Sequence, residues 1–262
     1  MDELYLIKIG GQVLDDETQR DTFLSAFSRL TGKKLLVHGG GKLATRLSER
    51  LGIETRMTEG RRITDADTLQ VVTMVYAGWI NKTIVARLQA AGCQAAGFSG
   101  ADGDLVRSHR RSEASVDYGY VGDVDRVNAD LLIRLLDQGI TPVLSPITHD
   151  GQGQLLNTNA DTIAQETARA LSTSYRVHLI YSFEKNGVLE RVDDPSSRIP
   201  LLTPSLYRQL RSANRIFAGM VPKLDNAFAA LESGIHRVSI GPADQLDLLI
   251  AGSTGTTLQH EP

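Results

Sequence analysis

Leu35-Leu36-Val37-His38-Gly39-Gly40-Gly41-Lys42 carries an apolar strand straight into three glycines and then into a helical pattern. A backbone builds a polyanion site in this way. Glycine tolerates positive φ and has no Cβ to keep a ligand away, and the amides opening the next helix carry partial positive charge toward a phosphate or carboxylate. The chain opens on the same logic: Leu4 to Ile9 reads as a buried strand, Lys8 lies near its end, and Gly10-Gly11 follow. Strand-to-helix turns also use glycine for conformation alone. Two such turns, each closing an early strand and each beside a lysine, point to one divided anionic site. A P-loop and a Rossmann dinucleotide site are disfavoured, because neither G-x-x-x-x-G-K-S/T nor a strand-linked G-x-G-x-x-G with its distant acid occurs.

Moving a phosphoryl group onto a carboxylate brings two anions together, so fixed cations matter more than a protein nucleophile. Lys8 stands where a parallel sheet places its ligands, at the end of a strand. Lys223 follows the turn Ala218-Gly219-Met220-Val221-Pro222 at a helix start, and is either a second such cation or a solvated helix lysine. In Asn157-Thr158-Asn159-Ala160-Asp161, Asn159 can cap a helix with Asp161 supporting its macrodipole. The alternative gives Asn157 to a substrate and lets Asp161 hold both ammonium groups in place. Arginine suits bidentate capture of a carboxylate. Of Arg61 and Arg62, the second adjoins the segment leading into a helix and is the candidate, with Arg61 expected to be solvent-exposed. No Ser, His or Cys cluster has the arrangement of a nucleophilic hydrolase, and His38 is expected to pack or hydrogen-bond beside the glycine turn rather than act as a base.

Elements able to position these residues alternate along the chain. Short apolar, often β-branched runs at 4–9, 35–38, 94–98, 140–144, 177–181 and 236–240 are separated by helical spacing, which predicts an α/β fold with an open, mainly parallel sheet sandwiched by helices. Helices are expected at about 16–30, 42–51, 65–91, 126–138, 160–171, 204–212 and 222–233. Asp65 can cap the third, and Gly92, Gly139 and Gly234 can stop three others. Residues 53–63 and 105–124 depart from the rhythm and read as hairpins that could cover a ligand, with a further turn at Asp150-Gly151-Gln152-Gly153.

At 262 residues the chain can bury a core without staples, and 28 basic against 31 acidic residues give a net charge of -3 with no basic field for nucleic acid. The single Cys93 and the lack of zinc-like spacing fit a reducing cytoplasm. A start in Met1-Asp2-Glu3 without a leader, and no apolar run near the ~20 residues of a membrane span, lead to the expectation of a cytoplasmic protein without membrane partners.

With these residues in hand, the chain resembles the amino acid kinase family, in its acylglutamate branch, over nearly its full length. The carriers are Lys8-Ile9-Gly10-Gly11, His38-Gly39-Gly40-Gly41, Gly60-Arg61-Arg62-Ile63-Thr64, the run from Asn157 to Asp161, and Gly219-Met220-Val221-Pro222-Lys223. The resemblance implies ATP-dependent phosphorylation of the side-chain carboxylate of N-acetyl-L-glutamate in arginine synthesis, with Mg2+ carried by the nucleotide. Lys8 and Lys223 would stabilise the transferring phosphoryl group and Asp161 would orient them. Gly10, Gly11 and Gly39 would supply phosphate-binding amides, while Gly40, Gly41, Arg62 and Asn157 would hold the acylglutamate. The nucleotide would meet Ser182, Phe183, Gly187, Phe217, Ala218, Gly219 and Met220. An acylglutamate lobe of about residues 1–172 and a nucleotide lobe of 173–262 would share one sheet.

Two departures stand out. Ser182 to Val188 is one residue longer than the family's Thr/Ser-Asp-Val-x-Gly-Val turn and lacks the aspartate in register, and the stretch from Ala114 to Asp125 is lengthy. The latter bears on whether acetyl or a larger acyl group such as succinyl is accepted. Another kinase of the superfamily and a non-catalytic ligand sensor are the remaining alternatives. Arginine-inhibited members carry an extra N-terminal helix that links dimers into a hexamer. Here the first strand begins by residue 4, and the expectation is an arginine-insensitive homodimer.

Overall fold

The computed structural model describes residues 1–58, 60–112, 116–183, 186–191, 194–213, 215–216 and 220–261. The first half of the chain forms β1 (Glu3–Ile9), α1 (Gly11–Asp15), α2 (Glu17–Arg29), β2 (Lys33–His38), α3 (Gly41–Arg50), β3 (Met57–Thr58), β4 (Arg61–Arg62) and α4 (Ala66–Thr73). A π-helical segment, Met74–Ile80, joins α4 to α5 (Asn81–Ala90), followed by β5 (Ala95–Phe98), β6 (Val106–Arg110), β7 (Val121–Val127) and α6 (Ala129–Asp137). Then come β8 (Thr141–Leu144), β9 (Ile147–His149), β10 (Leu155–Thr158), α7 (Ala160–Leu171) and β11 (Arg176–Phe183). The chain ends with β12 (Leu201–Leu202), α8 (Pro204–Ser212), α9 (Val221–Glu232), β13 (Arg237–Pro242), α10 (Leu246–Ile250) and β14 (Thr256–Leu258).

Eight strands form one sheet in the order β12-β14-β13-β11-β1-β2-β8-β5, parallel throughout except between β13 and β14. All six strands expected from apolar runs lie in it. Alternation along β1 shows how it is filled on both faces. Leu4 and Leu6 join a core shared with α6, α7 and α9, whereas Ile7 and Ile9 join the opposite core with α2, α4 and α5. The expected mainly parallel sheet between helical layers is therefore what the chain builds.

Asp65 caps α4 by accepting from Thr68 N at 2.9 Å, and Gly92, Gly139 and Gly234 follow their helices with φ of 75°, 73° and 99°. The helix expected to begin at 126 begins at 129, because residues up to Val127 complete β7 and Asn128 caps the helix. Both expected hairpins are present. β3 pairs antiparallel with β4, and β6 with β7. Strands β6, β7, β9 and β10 close on one another into a small four-stranded barrel. The segment before β7 docks on the first hairpin: Thr64 N donates to Tyr118 O at 3.0 Å and Tyr120 N to Thr64 O at 2.6 Å. No helix among the described residues is long and apolar enough to cross a membrane.

Candidate active site

β1 and β2 are parallel neighbours, so the glycine turns that follow them lie side by side at the carboxyl ends of the strands. Gly10 N donates to Ser182 O at 2.9 Å and Gly39 N to Ile9 O at 3.4 Å, which ties both turns to the strand ends; the Gly10 and Gly39 amides, expected to face a phosphate, are thus already committed to backbone carbonyls. The turns touch: a Cβ on Gly11 would stand 3.3 Å from Gly40 N. Gly40 takes φ 157°, which L side chains rarely adopt, and a Cβ there would also crowd Ile80 Cδ1 at 2.2 Å. The α3 helix starts at Gly41 with no side-chain cap, so its first amides remain available to an anion.

His38 lies fully buried beneath this turn. Its Nδ1 donates to Gly39 O at 2.9 Å and its Nε2 accepts from Asn81 Nδ2 at 3.1 Å, the pattern of a neutral imidazole. Burial pushes its pKa down to about 4 against the lift of the Gly39 hydrogen bond, with Lys82 adding repulsion. Such a ring fixes the turn and stays uncharged.

Lys8, Asp161 and Lys223 line one cavity, although they come from β1, α7 and α9. Lys8 Nζ lies 2.7 Å from Asp161 Oδ1. The capping reading of the asparagine run holds: Asn159 Oδ1 caps α7 by accepting from Asp161 N at 2.7 Å and Thr162 N at 3.3 Å, and the Asp161 carboxylate in that first turn reaches Lys8. Burial works to raise the Asp161 pKa. The charge and hydrogen bond of Lys8, with the charge of Lys223, outweigh it and hold the carboxyl below its ordinary value. Two cations against one anion leave the cavity positive, which favours a phosphate.

A second cavity is linked to the first through the start of α7, since Ala160 lines one and Asp161 the other. Asn159 and Ala160 line it together with Gly39, Gly40, Gly41, Arg62 and Asn157. Arg62 is 7% exposed. Its Nη1 donates to Thr55 Oγ1 at 3.0 Å, and its Nη2 donates to Gly41 O at 3.0 Å and Thr45 Oγ1 at 2.8 Å. No carboxylate among the described residues pairs with it, and a buried guanidinium in that state attracts an anion. Asn157 Nδ2 donates to Thr64 Oγ1 at 3.0 Å, and Thr64 Oγ1 donates to Arg62 O at 2.9 Å, which joins the two candidate substrate residues through one hydroxyl. Arg61, expected to be solvent-exposed, is half-buried and lines the same cavity.

Of the residues singled out for the nucleotide, Ser182 and Phe183 line the lysine cavity. Met220 precedes α9 and packs on the core, and Gly187 lies against Gly255 and Thr256 instead of lining either cavity. Phe217, Ala218 and Gly219 lie outside the described residues. Sequence reasoning missed Gln165 and Asn226, which line the lysine cavity. Their signal was available, since Gln165 stands four residues after Asp161 and Asn226 three after Lys223, on the same helix faces.

Residues 3–241 match the Amino acid kinase family. The chain is 51% identical over 246 residues to acetylglutamate kinase of Phocaeicola vulgatus, covering 94% of this chain and 96% of that protein. It is 42% identical over 239 residues to acetylglutamate kinase of Methanopyrus kandleri, covering 90% and 93%. Among solved structures, N-acetylglutamate synthase from Neisseria gonorrhoeae superposes with a TM-score of 0.83 at 21% identity, over 99% of this chain and 60% of that one. Giardia carbamate kinase superposes with a TM-score of 0.72 at 12% identity, over 98% of this chain and 99% of that one, and both likenesses speak to the fold. With a mostly parallel sheet between helices and relatives matched over nearly its full length, the chain belongs to the amino acid kinase family.

Proposed function

We propose that this protein transfers the γ-phosphoryl group of ATP to the side-chain carboxylate of N-acetyl-L-glutamate, giving an acyl phosphate and ADP on the route to arginine. The observation that carries the reading is that Lys8, Asp161 and Lys223 line one cavity, while Ala160, the residue before Asp161, lines the pocket of Arg62 and Asn157. Relatives named acetylglutamate kinase supply the identity of the acceptor.

In this reading a carboxylate oxygen of the substrate attacks the γ-phosphorus. The bond from that phosphorus to the bridging oxygen breaks, and its electron pair leaves on ADP. A carboxylate is already ionised near neutral pH, so no protein base is required, and the neutral His38 is not asked to supply one. Lys8 and Lys223 offset the charge that gathers as the two anions meet. Asp161 keeps both ammonium groups directed into the cavity. Arg62 takes a second carboxylate of the substrate, Asn157 steadies it, and amides of Gly11, Gly40 and Gly41 face its phosphate-accepting end. When bound, Mg2+ neutralises nucleotide phosphate charge. In this reading the ion would ride on the phosphates of ATP.

The test is ADP release from ATP and N-acetyl-L-glutamate, with the acyl phosphate trapped by hydroxylamine. Hydroxamate should form and should fall by roughly 10²-fold in Lys8→Ala, as for the loss of a charge stabiliser. ATP turnover without hydroxamate, or none at all, would sink the assignment.

Arg61 favours a second reading of the acyl group. It lines the substrate cavity, and among the described residues it forms no ion pair. An acyl group with its own carboxylate, such as succinyl, would give it one. Parallel assays with the two acylglutamates decide between them. The reading also includes a cytoplasmic homodimer. Exposed Met74 and Trp79 on the π-helical segment, at 54% and 69%, support a protein contact there, which light scattering in solution checks.

A further inference from the structure

Lys223 occupies an unfavourable place. It stands in the first turn of α9, where the aligned peptide dipoles present positive charge, and neither a side-chain cap from Met220 nor an acidic residue in that turn offsets it. Among the described residues its ammonium has no hydrogen-bond or ion-pair partner. What it lies against is an aromatic ring: Lys223 Nζ stands over Phe183, 5.3 Å from the ring centroid.

Phe183 is built to be a fixed platform. It ends β11, where its backbone pairs with Pro242 of β13, and it packs on the core beside α9. Its Cβ lies against Gly10, 3.6 Å from where a Cβ on that glycine would be, so the first glycine turn backs it from the other side. Phe183 and Lys223 line the cavity that holds Lys8 and Asp161.

We infer that Phe183 is a positioning residue for Lys223, its ring face holding the ammonium in the cavity without cancelling that group's charge. The inference rests on the kinase reading above and assigns Phe183 a role distinct from contact with the nucleotide. A carboxylate at this place would also hold a lysine, but it would cancel the charge and repel the phosphates. A ring face does neither. It takes one side of the ammonium and leaves the N–H donors on the other sides for phosphoryl oxygens. Division of labour follows within the cavity: Asp161 pairs directly with Lys8, and Lys223 is held by π electrons together with the longer-range pull of the same carboxylate.

The experiment compares Phe183→Leu, which removes the π face and keeps an apolar side chain, with Phe183→Tyr and Phe183→Trp, which retain it. Steady-state kinetics at saturating acylglutamate should show kcat reduced about 2- to 30-fold in the Leu variant, the span of a cation–π contact between exposed and desolvated settings. The KM for ATP should change less than kcat, and the Tyr and Trp variants should stay within about twofold of the parent. Circular dichroism checks folding, and Phe183→Met replaces the Leu variant if that one is unfolded. A Leu or Met variant with parental kcat, a change confined to KM for ATP, or equal losses in all the variants overturns the inference. Lys223→Ala separates the two levels. If it abolishes turnover while the Leu variant is silent, the positioning role fails and the kinase reading stands; if Lys223→Ala turns over normally, both fail.

Discussion

Lys8 and Asp161 are paired at 2.7 Å, which joins the end of the first strand to the first turn of α7 and sets a carboxylate in the electrostatic reach of two lysines from opposite ends of the chain. Removing that carboxylate frees Lys8 and exposes the two ammonium groups to each other's repulsion. Asp161→Asn keeps shape and cap while losing the charge, and kcat should fall by roughly 10²-fold, the scale of a misaligned reacting group. The KM values should move less. Because the Asp161 pKa is depressed from 3.8 in the fold, the pair's contribution is fully present above that value. It disappears only as pH falls through the lower folded-state value. An acid limb of the kcat profile that starts well above pH 4 would assign that limb to another group.

Arg62 should govern affinity for the acylglutamate. Its guanidinium uses three donated hydrogen bonds to stay in place and still lacks an anionic partner among the described residues. Arg62→Lys retains the charge but cannot reproduce a fork that reaches Thr55, Thr45 and Gly41 together. The KM for acylglutamate should rise about 10- to 100-fold, the worth of one hydrogen bond to a charged group. The KM for ATP should hardly change. Equal increases in both constants would show that the mutation had loosened the whole cleft.

Much of this arrangement is legible in the chain because the physics is local. Period-two and continuous apolar runs mark the six strands of the sheet that carry enough residues to show a pattern, and Asp65 and Gly234 mark helix ends by the conformations they favour. β12 and β14, with 2 and 3 residues, and α1 and α10, with 5 each, are too short for any periodicity to register. The π-helical turn is invisible for another reason: Met74–Ile80 reads as ordinary helix, and only its packing of Tyr76 and Ile80 on Gly40 gives the wider winding a purpose. At the site, glycine runs and lone charges can be read directly. The threonines that hold Arg62 come from α3 and the loop before β3, so they become neighbours only once the hairpin folds back.

Gly40→Ala should fail by collision. The added methyl would lie 2.2 Å from Ile80 Cδ1 and 3.1 Å from Tyr76 Cδ1, and overpacking of this kind costs about 1–3 kcal/mol. Urea unfolding measures the loss. Trimming the obstacle in Gly40→Ala/Ile80→Ala should give a double mutant less destabilised than the sum of the two single ones, because each change relieves the other. Strict additivity would mean that the turn moves aside and the contact is soft.

His38 should make stability depend on pH without entering the chemistry. Its folded-state pKa is about 4 against an ordinary 6.5, so the unfolded chain binds a proton more readily than the fold does between these values. Stability therefore rises with pH through that window, and is lost as pH drops from about 6.5 toward about 4, by on the order of 2–3 kcal/mol. His38→Gln can still donate to Gly39 O but has no ring to protonate. Its unfolding midpoint should be flatter across the same window, while kcat near neutral pH keeps most of its value because a neutral donor remains under the turn. If the parent and His38→Gln lose stability in parallel as pH falls, the titration belongs to other groups and the buried imidazole is not the sensor.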